Sequence, residues 1–559
     1  MKEETRGLFL AVILSVIAIL VTNYLFPKAP AAPQPQQEPE IAASAELQTE
    51  DAGKIIVDET PLTTAEAVAS EKRIKFANTD IHGSIRLKGA RFDELYLSKY
   101  KTGLEKDSPD IELLSPSRTA APYYAEFGWL SNDRNLKLPD GSTVWQAKTG
   151  ELTPENPLVL EYNNGQGLRF IRKISLDKNY MFNIEQSIEN NTAKSVSLFP
   201  YGLISRTVNN GKDSDSAVVH EGMLGVIDSS LKETKYTSLK KKGDKEEFKT
   251  NGGWAGFGDR YWFSSLVFNN NQNAKVKFIK TDDNTYQVDY LGDAATVAPG
   301  SIGTQNIRFY SGAKEIKLLD KYTKQYNIDK FDLAVDFGWY YFLTKPFFYI
   351  LDFLYRIIGN MGWAILLFAA LLRLLMYPVA NKSYESMSRM KKIQPKMQEL
   401  QEKYKDDKMK LQQEVMNLYR KEKINPAAGC LPVLIQIPVF FSLYKVLNIS
   451  IEIRHAPFIG WIKDLSAPDP LTISVWSHLP VPALLDIGIW PILMGVSMYI
   501  QQKLNPAPAN KDQARVFAML PLIFTFMLGH FASGLVIYWT LSNLLSIIQQ
   551  KAIIRKVGV

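Results

Sequence analysis

Apolar residues follow two different patterns along the chain. In residues 69–330, short runs alternate between apolar and polar side chains and end at Asn, Gly or Asp, as in Tyr180–Ile188 and Thr285–Tyr290. This period of two predicts half-buried antiparallel strands, and about 250 residues of such strands predict a large β-sandwich. Because no motif in this part fixes a catalytic geometry, we expect a scaffold or contact domain.

Residues 331–559 contain long apolar runs instead. Five of them predict membrane-spanning helices, at about 361–380, 427–448, 484–500, 516–531 and 534–549. When the N-terminal span described below is counted as the first, 484–500 is the fourth span, and its strongly apolar part, Ile487–Ile500, has fourteen residues. As a helix it measures about 21 Å, against about 30 Å for the hydrocarbon core of a bilayer. The fifth and sixth spans are also short, so we expect the protein to deform its membrane.

The N-terminal region predicts a further span and a linker. Gly7–Phe26 is uncharged and follows Lys2 and Arg6, which indicates an uncleaved anchor in residues 1–26. A cleavable signal peptide is the alternative, although its apolar core is usually only about 7–15 residues long. Residues 27–68, which begin with five prolines among Ala and Gln, predict an extended linker.

Charged residues predict how the spans are oriented. The segment 381–426 carries twelve Lys and Arg residues, whereas 449–483 carries two. Basic segments alternate with nearly neutral ones along the chain, as the positive-inside rule requires. We therefore expect both termini and 381–426 to lie in the cytoplasm and the β-sandwich outside.

Two segments predict helices beside the spans. Residues 331–360 are rich in aromatic side chains with scattered charges, which indicates an amphipathic segment in the membrane interface, where Pro346 breaks or starts a helix. In 381–426, apolar residues recur three and four apart, which predicts a basic helical hairpin. We place its turn at Asp406 and Asp407 and expect contacts through these residues and Lys391 and Lys392. This hairpin fits three alternative roles. It can be a solvated loop, a surface for anionic lipid or ribosomal RNA, or a surface whose exposed methionines bind apolar segments.

Arg373 is the most unusual residue of the membrane part, because it is the only charged residue in Met361–Ala380. An arginine at the centre of a span costs about 2.5–3.5 kcal/mol on insertion scales. It can snorkel to the cytoplasmic end or form a structural ion pair, or it can lie in a polar cavity open to the cytoplasm.

Other polar residues favour the cavity. In the last span a polar stripe shares one helix face, and its members are Trp539, Asn543, Ser546 and Gln550. Gln436 lies between two prolines of the third span. Hydrogen bonds between helices explain each of these residues individually. Taken together with Arg373, they predict a shared polar groove.

Composition excludes several function classes. The net charge is +7 and mean hydropathy is −0.13, while Cys430 is the only cysteine and no pair of the five histidines has metal-ligand spacing. The sequence has no phosphate-binding P-loop, HExxH or GxSxG motif. We therefore expect no enzyme activity and no cofactor.

Four motifs resemble those of the YidC insertases of the Oxa superfamily, in the Gram-negative form. They are LLRLLMYP (371–378), MKKIQPKMQEL (390–400), NPAAGCLPVLIQIPVFFSLYKVL (425–447) and SGLVIYWTLSNLLSIIQQ (533–550). The resemblance implies an α-helical polytopic membrane protein with six spans, of which five form an insertase core, and a large extracytoplasmic antiparallel β-sandwich domain.

The resemblance also implies a function. Such a protein inserts and helps to fold inner-membrane proteins through a hydrophilic groove open to cytoplasm and lipid, with groove roles for Arg373, Gln436, Trp539, Asn543 and Ser546. It implies nascent membrane proteins, the lipid bilayer, the Sec translocon, the ribosome and the signal recognition particle receptor as partners, and no DNA. It places the protein in the bacterial inner membrane with the β domain in the periplasm.

The chain departs from some relatives at two points. Ala369 stands where those relatives carry a groove-lining hydroxyl, and the tail after Gln550 is short. Two other functions are compatible with the spans: a secondary transporter of a small anion and a non-catalytic assembly scaffold. A transporter of this kind is expected to contain inverted repeats, and five unequal spans show none.

Overall fold

The computed structural model of the chain describes residues 61–208, 219–282, 284–405, 407–422, 424, 431–483, 485–506 and 511–557. The expected anchor at 1–26, most of the expected linker, Asp406, Cys430 and the start of the span at 427–448 lie outside the described residues. Residues 64–69 differ from the expected linker, because they form helix α1 (Thr64–Ala69), which Thr63 and Glu66 close with a reciprocal capping box.

The following residues form an antiparallel β domain. Its strands are β1 (Arg73–Ala77), β2 (Ile81–Arg86), β3 (Arg91–Lys101), β4 (Asp110–Leu114), β5 (Tyr123–Leu130), β6 (Gln146–Ala147), β7 (Leu158–Asn163), β8 (Leu168–Leu176), β9 (Met181–Asn190), β10 (Val196–Thr207), β11 (Gly222–Ile227), β12 (Ser230–Lys235), β13 (Lys245–Thr250), β14 (Gly253–Gly258), β15 (Trp262–Phe268), β16 (Ala274–Asp282), β17 (Thr285–Gly292), β18 (Ala295–Val297) and β19 (Ile302–Ala313).

These strands form two sheets. One has the order β1-β2-β3-β5-β10-β17-β16-β13, with β4 beside β3 and β18 beside β10, and the other has the order β12-β11-β14-β15-β19-β9-β8-β7-β6. Aromatic side chains from the two sheets meet between them: the ring centroids of Phe92 and Phe182 are 5.2 Å apart, and those of Phe127 and Phe309 are 5.9 Å apart. The predicted antiparallel sandwich is confirmed, and its alternating residues supply the core.

Helices follow the sandwich. They are α2 (Ile316–Gln325), α3 (Tyr341–Ile358), α4 (Met361–Lys392), α5 (Gln394–Lys403), α6 (Lys408–Lys421), α7 (Leu431–Ile449), α8 (Ile473–Ser477), α9 (Ile489–Leu504), α10 (Lys511–Leu528) and α11 (Ser533–Val557). Among the described helices, α4 alone is both long and apolar enough to cross a membrane, and Leu434–Ile449 and Ala514–Leu528 are shorter apolar helices.

Several helices differ from their sequence-based bounds, most clearly α3, α4 and α11. Helix α3 begins five residues before Pro346 and continues through it, so the predicted break or start at this proline is wrong; the proline lacks only one intrahelical hydrogen bond. Helix α4 continues twelve residues past Ala380, and α11 has 25 residues. In both α4 and α11 the charges mark where the apolar run ends, while the helix itself continues through residues of good helix propensity.

Helix packing brings α4, α7 and α11 together. Helix α4 packs against α3 and α11, while α9 packs against α10 and α11. Ala380 and Tyr384 of α4 form a small apolar cluster with Ile553 of α11, and the side-chain amide of Gln549 donates to Oδ1 of Asn381 over 2.9 Å. Helices α4 and α11 are therefore neighbours along most of their lengths.

Polar contacts join the β domain to the outer end of α7. The guanidinium of Arg260 donates to the backbone oxygen (2.7 Å) and to Oδ1 (3.0 Å) of Asn448. The ammonium of Lys445 lies 2.6 Å from a carboxylate oxygen of Asp336. Burial opposes ionisation of Asp336, but Lys445 and the backbone N–H of His220 outweigh it and hold its pKa below the usual value. This junction fixes one end of the helix that forms a wall of the candidate site.

Candidate functional site

A small polar cavity lies between α4, α7 and α11. Its lining includes Ala369 and Arg373 from α4, Gln436 from α7, and Tyr538 and Ser542 from α11, and its volume is about 30 Å³. That volume holds about two water molecules. The surrounding side chains are mostly apolar, so the few polar groups dominate the electrostatics of the space.

Arg373 spans the cavity from α4 to α11. One terminal nitrogen, Nη2, donates to the backbone oxygen of Ser542 over 2.9 Å. Its Nε is buried and has no hydrogen-bond partner among the described residues. No described carboxylate lies within ion-pair distance of the guanidinium. The side chain therefore lies across the helix interface and keeps unused donor capacity, a geometry that differs from snorkelling.

Gln436 and Tyr538 close another side of the cavity. The side-chain amide of Gln436 donates to the Tyr538 hydroxyl over 3.0 Å, which links α7 to α11. Near this link, Phe440 of α7 and Trp539 of α11 pack edge to face with ring centroids 4.6 Å apart. One hydrogen bond and one aromatic contact thus join these two helices beside Arg373.

The expected stripe on α11 faces a different helix. The amide of Asn543 donates to the Ser497 hydroxyl of α9 over 3.1 Å, and that of Gln550 donates to Oδ1 of Asn505 over 2.9 Å. Trp539 packs between Phe440 and Phe524. The structure does not bring Trp539, Asn543 or Gln550 into the cavity with Arg373.

Ser546 reaches the cavity indirectly. It is fully buried, and its hydroxyl donates to the backbone oxygen of Ser542 over 2.7 Å. The same oxygen accepts from Arg373. The Ser542 oxygen therefore accepts from both side chains, and Ser546 is linked to the cavity through it.

Sequence reasoning missed Tyr538 and Ser542. These two residues and Gln549 follow at i, i+4 and i+11 on α11, which is the same spacing as the stripe we named. At 3.6 residues per turn the two stripes, offset by one residue, lie about 100° apart on the helix. The second stripe was therefore visible in the sequence, but nothing in it indicated which stripe meets Arg373.

Ala369 lies one turn before Arg373 and is buried in the cavity lining. Its methyl group adds no hydrogen-bonding capacity there. The Tyr538 hydroxyl and the Gln436 amide are polar groups of the same cavity. Ala369, at the position where some relatives carry a hydroxyl, therefore lies on the cavity wall. Polar groups from α7 and α11 lie around it.

The basic segment forms a helical hairpin from α5 and α6. The Tyr419 hydroxyl contacts the sulfur of Met397 at 3.2 Å, and Lys396 lies 3.0 Å from a carboxylate oxygen of Glu422. Asp407 caps α6 by accepting from the backbone N–H of Lys410. Lys391 and Lys392 lie in the last turn of α4, while Asp406 is outside the described residues.

The hairpin presents apolar side chains to its surroundings. Met409 is 77% exposed and Met416 is also exposed. Exposed methionines are adaptable contacts for apolar segments of varied shape.

Among the described residues, no group of three or more His, Cys, Asp or Glu side chains could hold a metal ion. The site therefore offers a fixed positive charge and hydrogen-bond donors.

Comparison with protein families matches both parts of the chain. Residues 353–558 match the model described as "60Kd inner membrane protein". Residues 73–350 match the model described as "YidC periplasmic domain". The two matches meet within α3, between the sandwich and the helical part.

Curated relatives match over almost the whole length. A protein of Beijerinckia indica named "Membrane protein insertase YidC" is 46% identical over 100% of this chain and 97% of its own length. Proteins of the same name from Rickettsia bellii and Sinorhizobium fredii are 43% and 44% identical, over 98% and 100% of this chain and 99% and 97% of their own lengths. A solved structure of an active YidC insertase with its first transmembrane domain resolved is 19% identical, covers 86% of this chain and 92% of that one, and has a TM-score of 0.36.

Proposed function

The chain belongs to the YidC family of membrane protein insertases, and from this premise we propose that Arg373 receives the polar or acidic flank of a substrate segment during insertion. Proteins of this family are inner-membrane insertases with a periplasmic domain, and they are not enzymes. The observation that carries the proposal is the unused donor capacity of Arg373 in a cavity without a described carboxylate.

The proposed topology has six spans. The N-terminal anchor, α4, α7, α9, α10 and α11 cross the inner membrane, both termini lie in the cytoplasm, and the sandwich lies in the periplasm. Basic residues in 381–426 support this orientation. Helix α3, with Phe342, Phe353 and Ile357 exposed, lies in the outer interface. The cavity is then reached from the cytoplasmic side.

Insertion proceeds in this proposal by a change of partners at Arg373. The cavity holds only about two water molecules, so a peptide flank needs more room. Separation of α7 from α11 supplies that room, since it breaks the Gln436–Tyr538 hydrogen bond and the Phe440–Trp539 contact. A carboxylate that enters then forms charge-assisted hydrogen bonds with Arg373, which are stronger than its contact with a neutral carbonyl.

The apolar segment of the substrate stays in contact with lipid while its flank is held. Phe441 of α7 and Phe517 of α10 are both about half exposed and form an apolar exit on either side of the separating helices. Burial of apolar surface in lipid, at about 25 cal/mol per Å², drives release. The membrane potential helps acidic flanks outward by about 2.3 kcal/mol per charge per 100 mV.

Cytoplasmic partners meet the hairpin in this proposal. The twelve basic residues of 381–426, which include those of the hairpin, suit ribosomal RNA and anionic lipid. Met409 and Met416 suit apolar segments of a nascent chain or of the signal recognition particle receptor. The Sec translocon would contact the lipid-facing helices. These partners are inferred from charge and exposure.

Photo-crosslinking of a ribosome-stalled nascent chain tests the route. Crosslinkers at Gln436, Phe441, Phe517 and Trp539 are expected to capture the chain. A crosslinker at Ile302 of the β domain, which is 65% exposed, is the control and is expected to capture none. Capture at Ile302 alone would mean that the substrate does not pass beside Arg373.

A further inference from the structure

An apolar surface lies in the connection between α7 and α9, and none of its residues lines the cavity. We define the outer loop as residues 471–483. It contains no Asp, Glu, Lys or Arg and includes the short helix α8. Three large apolar side chains of this loop are exposed: Val475 (52%), Trp476 (54%) and Leu479 (63%). An uncharged loop with this much apolar exposure is unusual in contact with water.

Two carboxylates hold the outer loop rigidly in this exposed form. Asp486 accepts from the backbone N–H (2.8 Å) and hydroxyl (2.6 Å) of Ser474 and from the Thr472 hydroxyl (3.0 Å). Buried Asp469 accepts from the indole N–H of Trp461 and from the backbone N–H groups of Leu471 and Trp490. The hydrogen bonds of Asp469 and Asp486 thus hold the loop backbone in a form that turns its apolar side chains outward.

The base of the loop also fixes the start of α9. Asp469 supplies the side-chain cap that Gly488, the N-cap residue, cannot supply itself. A Cβ at Gly488 would stand 2.4 Å from Cβ of Asp469, so only glycine fits without a shift. On the other side, the backbone oxygen of Ala483 lies 3.2 Å from Nε2 of His530, just before α11 begins. The outer loop therefore lies beside the first residues of both α9 and α11.

The length of α9 indicates where the outer loop lies relative to the bilayer. Its 16 residues measure about 24 Å, about 6 Å less than the hydrocarbon core. Leu493 and Val496, in its first half, are exposed and face lipid in the proposed topology. Residues that lead into a short span lie at the boundary between headgroups and acyl chains, where Trp is the preferred anchor.

We propose that the outer loop docks into the headgroup–acyl boundary of the outer leaflet, with Val475, Trp476 and Leu479 in contact with lipid. The proposal rests on the topology of the proposed function. Docking would hold the outer ends of α7 and α9 at a fixed depth while their inner parts separate. Lipid is the occupant that the position beside a short span and the absence of charge favour over a protein partner.

Fluorescence quenching in lipid nanodiscs tests this docking. The full chain carries Cys430→Ala, which removes its only cysteine, and one new cysteine, Val475→Cys or Leu479→Cys, labelled with an environment-sensitive fluorophore. The discs contain phosphatidylethanolamine and phosphatidylglycerol. Quenching by a nitroxide near the headgroup end of the acyl chain and loss of quenching by aqueous iodide are the expected results.

Two matched positions make the outcomes distinct. Ile302→Cys, on an equally exposed apolar residue of the β domain, is expected to be quenched by iodide only. Leu493→Cys, on α9, is expected to be quenched by a nitroxide deep in the acyl chain. Iodide quenching at Leu479→Cys equal to that at Ile302→Cys overturns the docking. Lack of lipid quenching at Leu493→Cys overturns the topology itself.

A third result would assign the surface to another copy of the chain. Protection of Leu479→Cys from both quenchers, together with disulfide dimers of the unlabelled Leu479→Cys variant, would show that a second protomer covers the loop and would overturn the lipid proposal. Equal thermal unfolding of all labelled variants is the check that each substitution leaves the fold intact.

Discussion

Two arginines without a described carboxylate partner, one in each part of the molecule, are bound in very different ways. Arg172 lies in the sandwich at 1% exposure. Its guanidinium donates to the backbone oxygens of Ala90 and Phe127 and to Oε1 of Gln186, and it lies 4.7 Å from the ring centroid of Trp145. Arg373 in the helical part has one carbonyl acceptor, which it shares with Ser546.

The difference separates an arginine that holds a fold from one that is available to a ligand. Burial lowers the pKa of Arg172 to about 10, which still leaves the guanidinium charged at neutral pH. Its Nε, like that of Arg373, has no hydrogen-bond partner among the described residues, but its terminal nitrogens donate to three acceptors. At 1% exposure, Arg172 is closed to a ligand. Arg373 has the same chemistry in a cavity that leaves donors unused, and such a group gains most from a new acceptor.

The largest expected effect is at Arg373. We expect Arg373→Ala to reduce insertion of a single-span substrate with an acidic flank by about 30-fold, since a charge-assisted hydrogen bond contributes about 2 kcal/mol. Arg373→Lys keeps the charge and should retain more insertion, although it loses the planar guanidinium. Protease protection of the inserted substrate measures both.

The matched control is Arg389→Ala, which removes an exposed arginine from the same helix. It should leave insertion of that substrate near the unmodified rate, because it removes only one of several basic residues at that end of the helix. Full activity of Arg373→Ala on acidic-flanked substrates would remove the distinction between the two arginines, and Arg373 would then be a structural residue like Arg172.

A smaller effect, and of another kind, is expected at Arg172. Arg172→Met leaves the carbonyls of Ala90 and Phe127 without donors and should lower the free energy of unfolding of the sandwich by about 1–2 kcal/mol. Insertion per folded molecule should not change. Denaturant unfolding followed by proteolysis of the β domain measures the first quantity, with the exposed Arg134→Met as its control.

If Arg172→Met lowered insertion at unchanged stability, the sandwich would take part in the reaction. That outcome would contradict the proposed difference between Arg172 and Arg373 more directly than any change at Arg373. It would give Arg172 a role beyond folding.

The smallest effect on insertion is expected from removal of most of the sandwich. Deletion of residues 70–310, with α2, α3 and the anchor retained, should leave insertion nearly unchanged because no described group of the cavity comes from that part. The Arg260–Asn448 contact is lost in this variant, so its level in the membrane must be measured alongside. Normal levels without insertion would support an assembly scaffold.

The sequence predicted the sandwich well because alternation reports directly on burial. Tyr180–Ile188 overlaps β9 and Thr285–Tyr290 lies within β17. The strand partners were not predictable: β10 pairs with both β5 and β17, and such long-range choices depend on the whole core. The helix ends were misplaced where charge marks the edge of the hydrocarbon rather than the end of the helix.

The cavity was predicted only in part. Arg373 and Gln436 were found because polar groups are rare in apolar runs. Tyr538 and Ser542 were missed because periodicity defines the faces of α11 but not the neighbour that each face meets. Asn543 binds Ser497 of α9, a contact that requires the packing order of the helices.

The basic ends of the two helices beside the cavity have a kinetic consequence. The last turn of α4 contains Arg389, Lys391 and Lys392, and that of α11 contains Arg555 and Lys556. In the proposed mechanism, an acidic flank that approaches the cavity from this side meets an attractive potential before it meets Arg373. Such steering raises the rate of encounter and weakens as ionic strength rises, whereas the shielded contact at Arg373 sets how long the flank stays. Salt should thus slow arrival while leaving the residence time largely unaltered.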